Sequence, residues 1–172
     1  FEFLGQANTT IRVFFFCYVV IESTAHPRYG DHFTPLSDVL PSGYNILSAF
    51  GTSLRRGQTG RVGYSIIDDE IIIQWKGFMR LNTPTDDINF QMIFNQRDNS
   101  VRFVYGNMVN GDIYAILPQV GIRGGTIHDY SNLAVNSDAS SWLEAQQGTS
   151  NQATCFFDQT ILRSGTTVTY SP

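Results

Sequence analysis

Residues 86–106 read Asp-Asp-Ile-Asn-Phe-Gln-Met-Ile-Phe-Asn-Gln-Arg-Asp-Asn-Ser-Val-Arg-Phe-Val-Tyr-Gly, and the fold is decided here. Apolar side chains recur at every second position on both sides of a polar centre: Ile88, Phe90, Met92, Phe94, Val101, Phe103 and Tyr105. Alternation with period two is typical of strands that bury one face, and Asp98-Asn99 suits a turn. The stretch therefore predicts a β-hairpin with one face in a core.

A second hairpin is predicted just before the first. Arg61–Ile67 and Glu70–Lys76 flank Asp68-Asp69, a pair that fits a tight connection. Further strands are predicted from apolar runs bounded by turn residues, at Phe1–Leu4, Tyr44–Phe50, Asp112–Ile122, Ala153–Phe157 and Thr166–Tyr170. Pro118 restricts one of these strands to an edge or a bulge. Ser140–Gln147 fits a short helix capped by Ser140 or Ser141.

These elements predict an all-β fold. Strands at near-regular spacing, separated by Gly and Asn turns, are typical of an antiparallel two-sheet β-sandwich of the jelly-roll or lectin-like kind. We expect about ten strands and at most one short helix. Because the chain has 172 residues, we expect one domain spanning 1–172.

The apolar run near the N-terminus predicts a contact surface. Thr9–Ile21 is interpreted as one strand, in which Phe14, Phe15 and Phe16 put aromatic groups on both faces. Either the long Ser23–Ser42 segment covers the outer face, or these phenylalanines contact another copy or an adjoining module. Strand edges are commonly defended by lysines, and this chain has a single lysine among its 11 basic residues.

Composition disfavours two classes of partner. The net charge is −4 with no basic stripe, so we expect no nucleic-acid partner. No apolar run approaches the ~18 residues of a membrane helix, so we expect no membrane insertion. The chain opens directly on a strand-like run, as a mature or excised piece would. Cys17 and Cys155 either pair or remain two buried thiols, and the sequence leaves both alternatives open.

Several segments together resemble a known kind of module. In chain order they are Glu70–Lys76, Ile88–Gln91, Val101–Gly106, Val120–Ile122, Trp142, Gly148–Asn151 and Cys155. The set resembles a β-sandwich module of large secreted and surface proteins of Bacteroidetes-type bacteria, which are cargo of type IX secretion. Its central strands resemble the core of nidogen-type domains. The resemblance implies an extracellular or cell-surface location within a larger assembly. Such modules usually carry an Asn-Gly turn where this chain has Phe15-Phe16-Cys17.

The positions of the acidic and histidine clusters indicate residues of turns and loops, not catalytic or metal-binding sites. A glycosidase needs two carboxyls facing each other across a cleft, ~5–10 Å apart. Asp68-Asp69 and Asp86-Asp87 instead stand where turns are expected. His26, Asp31 and His32 are separated from His128-Asp129 by most of the chain, so we expect no metal site and no cofactor. Cys17 lies in an apolar run and is expected to be inert. We therefore expect no catalytic residues and no enzyme activity.

Binding residues are expected on loops. Within Thr126–Asn151, Tyr130 and Trp142 are candidate aromatic contacts for a glycan, with His128 beside them, whereas Trp75 is expected to pack inside its hairpin. The function expected is a non-catalytic, extracellular structural or adhesive module that acts through surface contacts, with assembly into a surface filament as one form. The alternative is a carbohydrate-binding, lectin-like module. A glycoside hydrolase domain is a more distant alternative.

Overall fold

A computed structural model describes residues 2–3, 6–7, 10–15, 17–22, 34–37, 43–80, 83–111, 116–158 and 160–171. Its strands, in chain order, are β1 Glu2–Phe3, β2 Gln6–Ala7, β3 Thr10–Phe14, β4 Tyr18–Glu22, β5 Asn45–Gly51, β6 Leu54–Ile67, β7 Glu70–Arg80, β8 Asp87–Asn95, β9 Val101–Val109, β10 Gln119–Arg123, β11 Tyr130–Ala134, β12 Gln146–Gln147 and β13 Thr167–Tyr170. In these ranges the helical structure is one 3-10 turn, Trp142–Glu144.

Eleven of the strands form two sheets, and β1 pairs with β2 separately. The six-stranded sheet has the order β12-β11-β10-β5-β4-β3, and the five-stranded sheet has the order β13-β9-β8-β7-β6. Every pairing between named strands is antiparallel. The prediction of an all-β, antiparallel two-sheet sandwich is therefore confirmed.

The alternating stretch forms the centre of the core, as predicted. In the β8–β9 pair, Phe90 stands opposite Tyr105 and Met92 opposite Phe103. Trp75 on β7 stands opposite Phe90, and their rings stack with centroids 5.0 Å apart. Trp75, Phe90 and Phe103 are buried in one cluster. Each alternating side chain thus contributes apolar area to the space between the sheets, which is the main source of stability.

Aromatic contacts join the two sheets. Phe50 on β5 of the six-stranded sheet lies 6.2 Å from the Phe90 ring of the five-stranded sheet. The hydroxyl of Tyr105 crosses the same gap and donates a hydrogen bond of 2.7 Å to the carbonyl of Ala49. The sheets are therefore held in register by packing and by a directional bond.

The prediction of a single strand over Thr9–Ile21 is wrong. The chain reverses, so that β3 and β4 form a hairpin in which Phe14 stands opposite Tyr18. The amide of Cys17 donates to the carbonyl of Phe14 (3.2 Å), and Cys17 has a φ of 71°. A three-residue loop that ends in the left-handed region is a common hairpin connection, and glycine is the usual residue there. Thr9 and Phe16 lie outside the described residues.

Part of the Ser23–Ser42 segment covers the outer face of the six-stranded sheet. Leu36 is fully buried in a second cluster with Tyr18, Val20 and Ile46. Its amide donates to Oε1 of Gln119 (2.9 Å), which fixes the cover to β10. The structure thus supports intramolecular cover at residues 34–37. Residues 23–33, which include His26, Asp31 and His32, and residues 38–42 lie outside the described part.

Other boundaries differ from the predictions. The expected helix at Ser140–Gln147 is one 3-10 turn, capped by the Ser141 side chain. Strand β11 lies within Thr126–Asn151, the segment predicted to be a loop, and β6 begins within the glycine-rich stretch before Arg61. Of the predicted strand Asp112–Ile122, Gln119–Ile122 lies in β10 and residues 112–115 lie outside the described part.

Replacing Phe103 by Ala tests the core directly. Because Phe103 is fully buried, the substitution should lower the free energy of unfolding by roughly 3–5 kcal/mol in urea denaturation. Thr169→Ala, an exposed position on the neighbouring β13, is the control and should change it by less than about 0.5 kcal/mol. A near-zero effect of Phe103→Ala would contradict the register of β8 and β9.

Candidate functional site

The open edge of the five-stranded sheet is the principal candidate surface. Val62, Tyr64 and Ile66 of β6 stand opposite Trp75, Ile73 and Ile71 of β7, so all six side chains point to the inner face. Yet Tyr64 is 79% exposed and Ile66 is 64% exposed. Among the described strands, β3 ends the facing sheet, and it meets the opposite sheet at β7, where Trp75 Nε1 donates to the carbonyl of Phe14 (3.2 Å). Strand β6 extends beyond that cover.

The backbone of β6 is regular only in its second half. The register with β7 shifts between Arg56 and Arg61, where Gly60 lies against the backbone of Gly77. A bulge of this kind turns an edge away from potential partners. From Arg61 to Ile67 the pairing runs without interruption. In the part of the chain that is described, no strand pairs with the outer side of this segment.

A charged turn closes the same hairpin. Asp68 and Asp69 connect β6 to β7, as predicted, and Asp68 has a φ of 51°, which Asp tolerates better than most residues. Asp69 forms an exposed ion pair with Arg97 (3.1 Å), and Glu70 pairs with Arg102. The edge therefore presents Arg61 at one end of its regular segment and two aspartates at the other.

A second apolar surface lies at the turn between β3 and β4. Phe15 is 56% exposed, and its ring lies 6.5 Å from that of buried Phe78 on β7. Val13, on the inner face of β3, is 37% exposed. Phe14, by contrast, stacks on Tyr18 (4.5 Å) beneath the 34–37 cover, and Phe16 lies outside the described residues. Of the three predicted contact phenylalanines, Phe15 is the one shown exposed. We call Val13 and Phe15 the β3 corner.

The predicted glycan contacts do not come together. Trp142 is 4% exposed, and its Nε1 donates to the carbonyl of Phe156 (2.9 Å), so its assignment as a stacking surface is wrong. It packs in the core against Tyr105, with ring centroids 5.2 Å apart. Tyr130 is half-buried at the start of β11, and His128 is exposed in the preceding turn. An aromatic residue in a polar segment was expected on the surface, and no local pattern in the sequence indicates its burial.

The carboxylate pairs are held by structural contacts. Asp86 has a fully buried side chain and accepts hydrogen bonds from Arg80 Nε (2.7 Å), Arg80 N (3.0 Å) and Gly111 N (2.8 Å). Burial acts to raise the pKa of this carboxyl, but these bonds and the charge of Arg80 outweigh it, so the pKa lies below the ordinary value. Asp86 thus stabilises the end of β7 as a carboxylate.

The two cysteines are buried free thiols, so of the two alternatives the structure shows the unpaired one. Burial raises the pKa of Cys17 well above its ordinary value and that of Cys155 to about 12. Thiols with such pKa values are protonated and inert at neutral pH. The described residues contain no group of three or more His, Cys, Asp or Glu side chains that converges as a metal site would. No helix in the described ranges is long and apolar enough to cross a bilayer.

Comparison with known proteins finds no matching family model, no matching curated protein and no matching solved structure. The resemblance to secreted bacterial β-sandwich modules therefore stays a prediction. The candidate surfaces are interpreted from their own geometry.

Replacing Asp86 by Asn should produce a pH-dependent loss of stability. At pH 7 the free energy of unfolding should fall by roughly 1.5–3 kcal/mol, because a charged hydrogen-bond acceptor is lost. A depressed native pKa stabilises the fold above the unfolded pKa, and this contribution disappears as pH falls through the native value. The gap between variant and wild type should therefore narrow below pH ~4. Asp87→Asn is the neighbouring control and should not show this pH dependence. If the difference in free energy of unfolding between Asp86→Asn and wild type were the same at every pH, Asp86 would not be a stabilising carboxylate.

Proposed function

We propose that this chain is a non-catalytic, extracellular structural or adhesive module that acts through surface contacts between β-sandwich domains. The observation that carries the proposal is the exposure of apolar side chains on the side of the sandwich where β3 and β6 end the two sheets. These side chains are Val13, Phe15, Tyr64 and Ile66. Exposed apolar patches on soluble domains usually mark contact surfaces.

The strand edges support the same proposal. Sheet edges are commonly protected by lysines or prolines, and neither residue occurs in β3 or β6. Edges of this kind are suited to contacts with neighbouring domains. The resemblance to secreted modules supports an extracellular or cell-surface location within a larger assembly.

Carbohydrate binding is the alternative. With Trp142 in the core, it depends on Tyr130, the first residue of β11, and on His128 in the turn before it. If this turn binds sugars, Tyr130→Ala and His128→Ala should each abolish signals on a glycan array, while Tyr64→Ala should leave them intact. An array on which the wild-type protein gives no signal would exclude this alternative for the glycans displayed. The hydrolase alternative has less support, because the buried carboxylate of Asp86 already accepts a hydrogen bond from Arg80, whereas a glycosidase needs two carboxyls that face each other across a cleft.

The β3 corner can be tested by changing Phe15 to Ser. We expect the wild-type protein to self-associate with rising concentration in light scattering, and the variant to associate less, because an exposed apolar contact is lost. Leu117→Ser is a matched control, since Leu117 is 57% exposed against 56% for Phe15. Circular dichroism verifies that both variants fold. An equal effect of the two substitutions would count against a specific role for Phe15.

A further inference from the structure

We propose that the β6 edges of two copies of this chain pair antiparallel across a two-fold axis at Tyr64. The pairing would join two five-stranded sheets into one continuous sheet of ten strands. The inference rests on the proposed function, because it names the contact surface and its partner.

The backbone of β6 limits what can bind there. An edge strand presents a row of amide and carbonyl groups that only another extended polypeptide can satisfy in register. The bulge between Arg56 and Arg61 interrupts that row, so the regular segment is residues 61–67. Seven residues have a unique midpoint, which is Tyr64. When two copies of the segment pair along their whole length in opposite directions, Tyr64 must face itself.

This register matches the apolar side chains. With Tyr64 on the axis, Val62 stands opposite Ile66 of the second copy, and Ile66 stands opposite Val62. All six side chains lie on inner faces, because Val62, Tyr64 and Ile66 share the face of buried Trp75 and Ile73. Directly opposed residues have Cβ atoms ~4.5–5.5 Å apart, so the pairs would cover one another. The exposed Tyr64 and Ile66 of one molecule would therefore meet Tyr64 and the half-buried Val62 of the other, which continues the apolar row.

The charges select a second copy in antiparallel orientation. In the same register Arg61 stands opposite Ile67 of the second copy and next to its Asp68. Asp69, which pairs with Arg97 of its own chain, lies one residue further on. The two-fold axis repeats the contact between Arg61 and Asp68, so the dimer contains two symmetric arginine–aspartate contacts. A parallel arrangement would instead place Arg61 beside Arg61 and the aspartates beside each other. Like charges directly opposite are destabilising, so the parallel arrangement is disfavoured.

Sedimentation equilibrium of the full chain provides the first test. The contact is small, so we expect a weak dimer whose population rises with concentration. Tyr64→Lys would bring two ammonium groups together at the axis and should raise the dissociation constant by at least about tenfold. Leu143→Lys is the matched control, since Leu143 is 87% exposed on the 3-10 turn, and it should leave the constant unchanged.

A charge-swap experiment tests the register. Arg61→Glu alone should prevent dimerisation, because the introduced carboxylate would face Asp68 of the second copy. Asp68→Lys alone should weaken it, because the introduced ammonium group would face Arg61. An equal mixture of the two variants should recover dimers, since one contact becomes glutamate–lysine and the other stays arginine–aspartate. Both positions are exposed, and circular dichroism verifies folding. A mixture that associates no better than its components would overturn the proposed pairing.

Disulfide trapping locates the axis. Tyr64→Cys should form a covalent dimer under mild oxidation, because a residue on the axis faces its own copy. Ser65→Cys should not, because its Cα atoms would be ~8 Å apart, beyond the reach of a disulfide. The native cysteines are both buried, so they should not compete for oxidation.

Dimers that persist in Tyr64→Lys but not in Phe15→Ser would overturn the β6 contact while leaving the proposed function intact. A chain that stays monomeric at millimolar concentration would overturn the dimer. Measuring the adhesion of that monomer to cells would then test the proposed function independently of the dimer.

Discussion

Two hydrogen bonds from buried aromatic side chains cross between the sheets, and the rest of the sandwich depends on the register that they fix. Trp75, Tyr105 and Trp142 each place an aromatic body in the core and a polar hydrogen at its border. Each hydrogen reaches a backbone carbonyl: Phe14 at 3.2 Å, Ala49 at 2.7 Å and Phe156 at 2.9 Å. Leaving such a donor unpaired costs roughly 1–3 kcal/mol. The bonds from Trp75 and Tyr105 run from the five-stranded to the six-stranded sheet, so these two bonds restrict how far the sheets can slide. The relative position of the two sheets thus depends on directional hydrogen bonds as well as on the burial of apolar area.

The sequence predicts the five-stranded sheet better than the six-stranded one, for a physical reason. Strands β7 to β9 alternate because one face is buried, and alternation is visible in the sequence. Strand β4 is buried on both faces, partly beneath Leu36, so its apolar run is continuous with that of β3. A turn inside a continuous apolar run can be recognised in the sequence only if it contains residues that favour turns, such as glycine or asparagine. Cys17 occupies a left-handed position without being glycine, so the reversal left no signal. Likewise, nothing near Trp142 indicates that β9 and Phe157 would enclose it.

The scarcity of lysine predicts undefended edges but not their location. Exposure at an edge depends on where the facing sheet ends, which is a property of the assembled fold. Tyr64 and Ile66 belong to the inner face by register, and they become surface because β3 stops at β7. Phe15 near the N-terminus is exposed, and the contact surface expected there stays a prediction, while the larger exposed row lies on the opposite sheet. Local patterning therefore identifies the face of a strand, and topology decides whether that face is covered.

The two-fold symmetry of the proposed β6 contact would give dimers and could not by itself give a filament. A two-fold contact uses the same surface on both molecules and is complete at two copies. A filament of this chain therefore requires a second contact that uses a different surface. The β3 corner belongs to the other sheet, so it remains outside the ladder that two β6 edges would form. Two independent contacts, one at each sheet's edge, would link dimers into a chain, whereas the two-fold β6 contact alone would stop at two copies. The arrangement of the edges thus makes the size of any assembly depend on both surfaces together.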